Sequence, residues 1–379
     1  MINISLLLIT FISLLIKHIT TQTIITIPLE DKPSLSDEGN PKLHLSITDK
    51  YQVPINTLDN CTILKLEPFL PQFLPNQPPQ PLKNMSVLKF TLTDYFIPLK
   101  LFKLSTPINY FFHSYDKDFV YSFKGEYLCF PREQSEYQSG TSLIHQLFYA
   151  NIIQNKQFVL DLNNKHKEEF LYLGGIPKQI SNNIKQEYIM DMSSSKALWK
   201  VDVKFFTIGH KNYRLNTEWV IDLYEKEMSV STMIFNTIIS NHFRKLINKT
   251  ECWLWNPQSS KIICKDNVVR NFGKVFFYIG NVSFELNKDS LFSCNGVNNC
   301  TFNIIKNING VWDFRLGYMF FKDFVSVFDY DNESVVMYKK DKMKFSNEKG
   351  IIKNIYKMLF VINLVMIVGL SFVKKKNRS

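Results

Sequence analysis

The chain has 379 residues, of which 45% are apolar and 21% charged, long enough for two lobes with their own cores and too apolar for a disordered protein. The formal net charge is +11, but eleven basic and two acidic residues between Lys339 and Ser379 account for +9 of it. The rest is close to neutral, which excludes a nucleic-acid partner as the reading of the charge.

In chain order, the uncharged run from Leu6 to Ile16 predicts a signal peptide over residues 1–21. A proline-rich stretch from Pro68 to Pro81 reads as an extended loop, and no glycine occurs between Gly39 and Gly125. A helix is predicted over 142–153, opened by Ser142 as its cap. Ser193-Ser-Ser-Lys-Ala-Leu198 marks a lobe boundary. Strand-like runs around Gly209, Gly280-Asn281 and Asp331-Asn332 predict three hairpins. A second helix is expected over 229–247, with an apolar stripe of Met233, Ile234, Ile238 and Leu246. After a basic linker over 341–357, the apolar stretch 358–373 reads as one transmembrane helix, and the basic tail 374–379 should remain cytosolic. The expected protein is a single-pass type I membrane protein of the secretory pathway, vacuolar or at the cell surface, its ectodomain lumenal or extracellular. Charged residues at the extreme C-terminus argue against a glycolipid anchor.

Six cysteines, Cys61, Cys129, Cys252, Cys264, Cys294 and Cys300, can all be paired in such an oxidising compartment. No Cys-x-x-Cys or His-rich spacing is present, so no metal and no cofactor is expected. Glycosylation sequons occur at Asn60, Asn84, Asn248, Asn281, Asn299 and Asn332, and the expected carriers are Asn84, Asn248, Asn281 and Asn332. The sequence holds no Gly-x-Ser-x-Gly, phosphate loop or dinucleotide fingerprint, which excludes the corresponding hydrolases and nucleotide enzymes.

Several motifs then fall in one order. Arg315-Leu-Gly-Tyr-Met-Phe-Phe-Lys-Asp-Phe-Val-Ser-Val-Phe-Asp329 is similar to a Leu-Gly-Asp-x-Phe segment leading into a strand that ends Val-Phe-Asp. Phe158-Val-Leu-Asp161, a polar turn, and Phe170-Leu-Tyr-Leu-Gly-Gly-Ile-Pro177 look like a strand, a hairpin and a Leu-Gly-Gly-Ile segment. Val220-Ile-Asp222, Phe123 to Pro131, and Asp59-Asn-Cys-Thr-Ile-Leu-Lys-Leu-Glu-Pro68 complete the set. Over roughly residues 43 to 340 the chain resembles the pepsin-like aspartic protease family. The resemblance implies a mainly β, bilobal fold with a few short helices, its N-terminal lobe over 43–192 and its C-terminal lobe over 193–340.

The resemblance further implies that Asp59 and Asp222 hold the positions of the catalytic dyad, and that Tyr95 is the candidate flap tyrosine over substrate. It places a disulfide between Cys264 and Cys300; Cys252 with Cys294 and Cys61 with Cys129 are the expectations for the others. In the family, each aspartate is followed two residues later by a glycine that lets backbone pass behind the carboxylate. Those positions here are Cys61 and Tyr224, where a side chain should carry strain of about 1 to 3 kcal/mol each. Two carboxylates sharing one proton activate water for attack on a peptide bond, so the turns that aim them decide the chemistry. The leading expectation is a membrane-anchored member of impaired catalysis that binds peptide or protein in the cleft between the lobes. The alternatives are an active aspartic endopeptidase in an acidic secretory or digestive compartment, and a structural protein with an empty cleft.

Overall fold

The computed structural model describes residues 24–33, 41–46, 52–57, 83–87, 90–99, 108–115, 128–132, 142–162, 169–182, 184–190, 192–194, 198–255, 261–294, 299–307 and 314–340. The described residues up to Lys339 belong to one compact unit. The predicted signal peptide, the juxtamembrane linker, the 358–373 segment and Pro68 to Pro81 lie outside the described residues, as do Asp59, Asn60 and Cys61. No described helix is long and apolar enough to cross a membrane.

The architecture is mainly β. Strands β1 (Ile25–Pro33), β2 (Pro41–Ser46) and β3 (Gln52–Asn56) open the chain, followed by β4 (Lys83–Val87), β5 (Phe90–Leu99), β6 (Ile108–Tyr115) and β7 (Leu128–Cys129). After helix α1 (Leu143–Tyr149) come β8 (Gln157–Asp161), β9 (Glu169–Leu173), the short α2 (Lys178–Ser181) and β10 (Ile184–Ile189). The second half contains β11 (Lys200–Ile208), β12 (Lys211–Asp222), β13 (Met228–Val230), β14 (Cys252–Leu254), β15 (Ile262–Lys265), β16 (Val275–Ile279) and β17 (Val282–Leu286). It closes with β18 (Phe292–Cys294), β19 (Asn299–Phe302), β20 (Ile304–Lys306), β21 (Arg315–Gly317), β22 (Phe324–Asp329) and β23 (Ser334–Lys340).

Among the described residues, nine strands pair in the order β10-β23-β22-β8-β9-β1-β2-β3-β7, and seven in the order β17-β16-β11-β12-β21-β13-β20. The closing hairpin β22–β23 is thus built into the sheet of the first half, where Val325–Asp329 pairs antiparallel with β8. Trp199, fully buried, sits at this junction: its indole N–H donates to the Phe130 carbonyl at 3.0 Å, and its ring packs against Phe158, Phe328 and Tyr330.

The three predicted hairpins form. Ile208 faces Lys211 across a two-residue turn in which Gly209 takes φ 56°, and Ile279 faces Val282 across Gly280, at φ 57°, and Asn281. In the third hairpin the Asp329 carboxylate accepts from the N–H groups of Asp331 and Asn332, at 2.9 and 3.0 Å, and so replaces glycine as the organiser of the turn. Helix α1 ends earlier than predicted, at Tyr149, because Asn151 turns left-handed at φ 54°. Ser142 occupies the residue before it, but its hydroxyl makes no cap bond.

The predicted helix 229–247 is shared among three conformations: α3 (Thr232–Ile238), a π-turn over Ile239–Phe243, and α4 (Arg244–Asn248). The π-turn inserts a residue into the helical phase and brings Phe243, fully buried, under the same face as Ile234, Phe235 and Ile238. Met233, expected in the stripe, is 72% exposed because it lies about 100° around the helix from Ile234.

Two expected cysteine pairs, Cys264–Cys300 and Cys252–Cys294, are overturned, and Cys61 of the third lies outside the described residues. The bridges are Cys252–Cys264 and Cys294–Cys300. In the four-stranded sheet β14-β15-β19-β18 these pairs face each other with Cα atoms 4.0 Å apart, the close spacing of a non-hydrogen-bonded cross-strand pair. Cys252 and Cys294, expected as partners, stand on opposite edge strands of that sheet.

Candidate functional site

Two strand ends meet through one threonine. Strand β12 ends at Asp222 and runs parallel to β21, with Asp222 opposite Gly317. Strand β3 ends at Asn56 and runs parallel to β7, with Asn56 opposite Cys129. The residue after Asn56 is Thr57, fully buried. Its hydroxyl donates to the Ile221 carbonyl at 2.8 Å and accepts from the Leu223 N–H at 3.1 Å, so one side chain bonds the residues on both sides of Asp222. By topology the counterpart of Asp222 in the first half is therefore Asn56, three residues before Asp59.

The turn that carries Asp222 is compact. The Tyr224 N–H donates to Asp222 Oδ1 at 3.2 Å, and the Glu225 N–H to the Asp222 carbonyl at 3.2 Å. The expected strain at Tyr224 does not arise: positive φ among the described non-glycine residues is confined to Asn151, Asn216, Thr250 and Glu333. The Tyr224 ring turns inward and is almost wholly buried, with the Lys42 ammonium 4.0 Å above it. Lys42 itself is 1% exposed and pairs with Glu225 at 3.1 Å. Glu227 is paired with Lys261, also at 3.1 Å.

Behind the turn, Gly317 is indispensable. A Cβ there would lie 2.2 Å from the Glu227 carbonyl oxygen and 2.5 Å from that of Lys226. Tyr318 and Met319, which open a 3-10 turn over Tyr318–Asp323, donate their N–H groups to Glu225 and Lys226. The Leu-Gly motif thus acts as backbone support for the aspartate turn, and its lost acid, Tyr318, is buried.

Asp222 is wholly buried and ion-paired. Arg315 Nη1 lies 3.3 Å from its Oδ2, while Arg315 Nε donates to the Ser229 hydroxyl at 3.1 Å and Nη2 reaches Asn307 Oδ1 at 3.5 Å. The guanidinium is held from three sides and is 18% exposed, so it is a fixed part of the site. Arg315, Thr57 and Lys42 belong to the site although the motifs do not single them out. The signal for Arg315 was there, a cation two positions before the motif glycine.

Of the remaining site expectations, Tyr95 lies within β5 opposite Phe112, and not at a hairpin tip. Only residues 88 and 89 join β4 to β5, since Val87 pairs with Phe90. Cys61 and Asp59 lie outside the described residues. One described group, Asp266 with Cys294 and Cys300, has ligand atoms within 4.8 Å of one another, but both sulfurs are spent in a disulfide and cannot take a metal.

Against known families, residues 127–339 match the model described as eukaryotic aspartyl protease. Among solved structures, the aspartic proteinase from Irpex lacteus superposes with a TM-score of 0.60 at 13% sequence identity, covering 85% of this chain and 99% of that one. No curated protein matches the chain in sequence.

Proposed function

The chain belongs to the eukaryotic aspartyl protease family, and from that premise we propose that it is a member that no longer hydrolyses peptide bonds and binds peptide or protein in the cleft of the fold. The ion pair between Arg315 and Asp222 carries this reading. Aspartic catalysis needs two carboxyls that share a proton, and it works because neither has another counter-charge. A guanidinium on Asp222 Oδ2 supplies that counter-charge permanently and occupies an oxygen that water or proton would need. On the other side, Asn56 takes the position for which Asp59 was expected. An amide can hold a water but cannot act as general acid or base.

We place the protein on a membrane through the 358–373 segment, its ectodomain in an oxidising compartment. Two disulfides and the exposed sequon residues Asn248, Asn281 and Asn332 support that placement. Passing a diverse peptide pool over the immobilised full chain at acidic pH tests the function. Retention of intact peptides is expected; recovery of cut peptides only from the wild type, and not from Asp222→Asn, would favour an active endopeptidase, and absence of retention would remove the binding role.

A further inference from the structure

The four paired cysteines of the second half stand in one row. Across the sheet β14-β15-β19-β18, Cys252 is the register partner of Cys264, Cys264 of Cys300, and Cys300 of Cys294. Residues directly opposite in antiparallel strands project to the same face, so the four sulfurs share one side of the sheet in the order 252, 264, 300, 294. The two outer neighbours are bonded, and the inner neighbours Cys264 and Cys300 are adjacent without being bonded to each other. Because Cys264 faces Cys252 as a close, non-hydrogen-bonded pair, it faces Cys300 as the wider, hydrogen-bonded kind. The Cα spacing of that kind, about 5.5 Å, is well within what a disulfide spans.

Access to the row is one-sided. Cys252, Cys264 and Cys300 are buried, whereas Cys294 is exposed at the edge strand β18. We propose that this row is a thiol–disulfide exchange site that accepts a dithiol reductant at Cys294 and ends with a different bridge, Cys264–Cys300. A thiolate of the dithiol attacks Cys294 Sγ, breaks the Cys294–Cys300 bond and releases Cys300 as a thiolate. The second thiol of the reductant then closes its own disulfide and releases Cys294, so the reductant is oxidised by two electrons. Cys300 next attacks its neighbour Cys264; the Cys252–Cys264 bond breaks, and Cys252 leaves as a thiolate that takes a proton from solvent. The attacking sulfur lies on the side of Cys264 opposite Cys252, the direction that displacement along the row requires.

The exchange consumes one dithiol and keeps one bridge in the sheet. It moves the cross-link from the edges to the centre and frees both edge strands, β14 and β18. Asp266, whose carboxylate is within 4.8 Å of the Cys294 and Cys300 sulfurs, places a negative charge against the Cys300 thiolate and restrains the reaction. Arg270 pairs with the same carboxylate at 2.6 Å.

The test uses the full chain and dithiothreitol as probe, raised until the first bridge of the row opens, followed by acid quench, thiol tagging and peptide mapping without reduction. Only peptides carrying the four row cysteines decide. Tags on Cys252 and Cys294 with Cys264 cross-linked to Cys300 are expected. Tags on Cys294 and Cys300 with Cys252–Cys264 intact, or on Cys252 and Cys264 with Cys294–Cys300 intact, overturn the proposal. The variant Cys294→Ser reads the second step alone: a Cys264–Cys300 cross-link with Cys252 tagged supports it, and a tag confined to Cys300 refutes it. Asp266→Asn should raise the exchange rate several-fold, which a merely structural pair of bridges would not show.

Discussion

At the residue scale, Arg315 and Asp222 form a pair whose members cannot be removed singly without penalty. Removing the cation alone, by Arg315→Met, leaves a buried carboxylate uncompensated and should cost about 3 to 5 kcal/mol of stability, read from the denaturant midpoint. Adding Asp222→Asn should recover much of that loss, since the amide asks for no counter-charge. Equal loss in the single and double variants would mean that the pair is incidental. Gly317→Ala should be costly for a different reason. Its Cβ would meet backbone oxygens that cannot rotate away, and about 3 kcal/mol or more is expected in the same measurement.

Asp222 was legible because it ends an apolar strand, Trp219-Val-Ile, whose residues are all buried. The first-half position carries no such local signature. A search for an acid in that region finds Asp59, but what fixes the site is the hydroxyl of Thr57, and a hydrogen bond spanning 166 residues to Leu223 leaves no local trace. The strain expected at Tyr224 does not arise, because its ring leaves the path of the backbone and is received by Lys42 and the core.

At the element scale, the hairpins at Gly209 and Gly280 were readable because a two-residue turn has few chemical solutions. The π-turn over Ile239–Phe243 was not, since it is a phase slip driven by the packing of Phe243 on Phe272 and Phe302. Disulfide pairing was equally hidden, because it depends on which residues face each other across four strands. The junction between the halves rests on Trp199, which packs on Phe328 of β22 and Phe158 of β8. Trp199→Ala should cost about 3 to 5 kcal/mol through lost packing and the orphaned Phe130 carbonyl. Urea unfolding with an unchanged slope and a lower midpoint is the expected signature; an unchanged midpoint would show that this aromatic cluster does not hold the halves.

At the scale of the whole molecule, the mainly β plan was legible from the order of weak motifs, and the family match confirms it over more than half of the chain. One half-buried group ties the stability of the whole fold to pH. His145 in α1 is pushed down to about 4, first by burial and then by Lys156, with Asp331 opposing. Its folded value is thus below its unfolded one, so the fold favours the neutral ring. The stability this contributes is present above the unfolded value of about 6.5 and is lost as pH falls from there toward 4. With allowance for partial exposure the loss is about 1 to 2 kcal/mol. Thermal melts across that window should show a falling midpoint for the wild type and a flatter profile for His145→Gln; parallel profiles would contradict the assignment.

The central proposal is that the Asp222 carboxylate, held by Arg315, is structural and not catalytic. Hydrolysis of a diverse peptide pool across the acidic range, by the wild-type chain and by Asp222→Asn side by side, measures it directly. Identical background rates for the two proteins are predicted; cleavage by the wild type that disappears in Asp222→Asn would contradict the account.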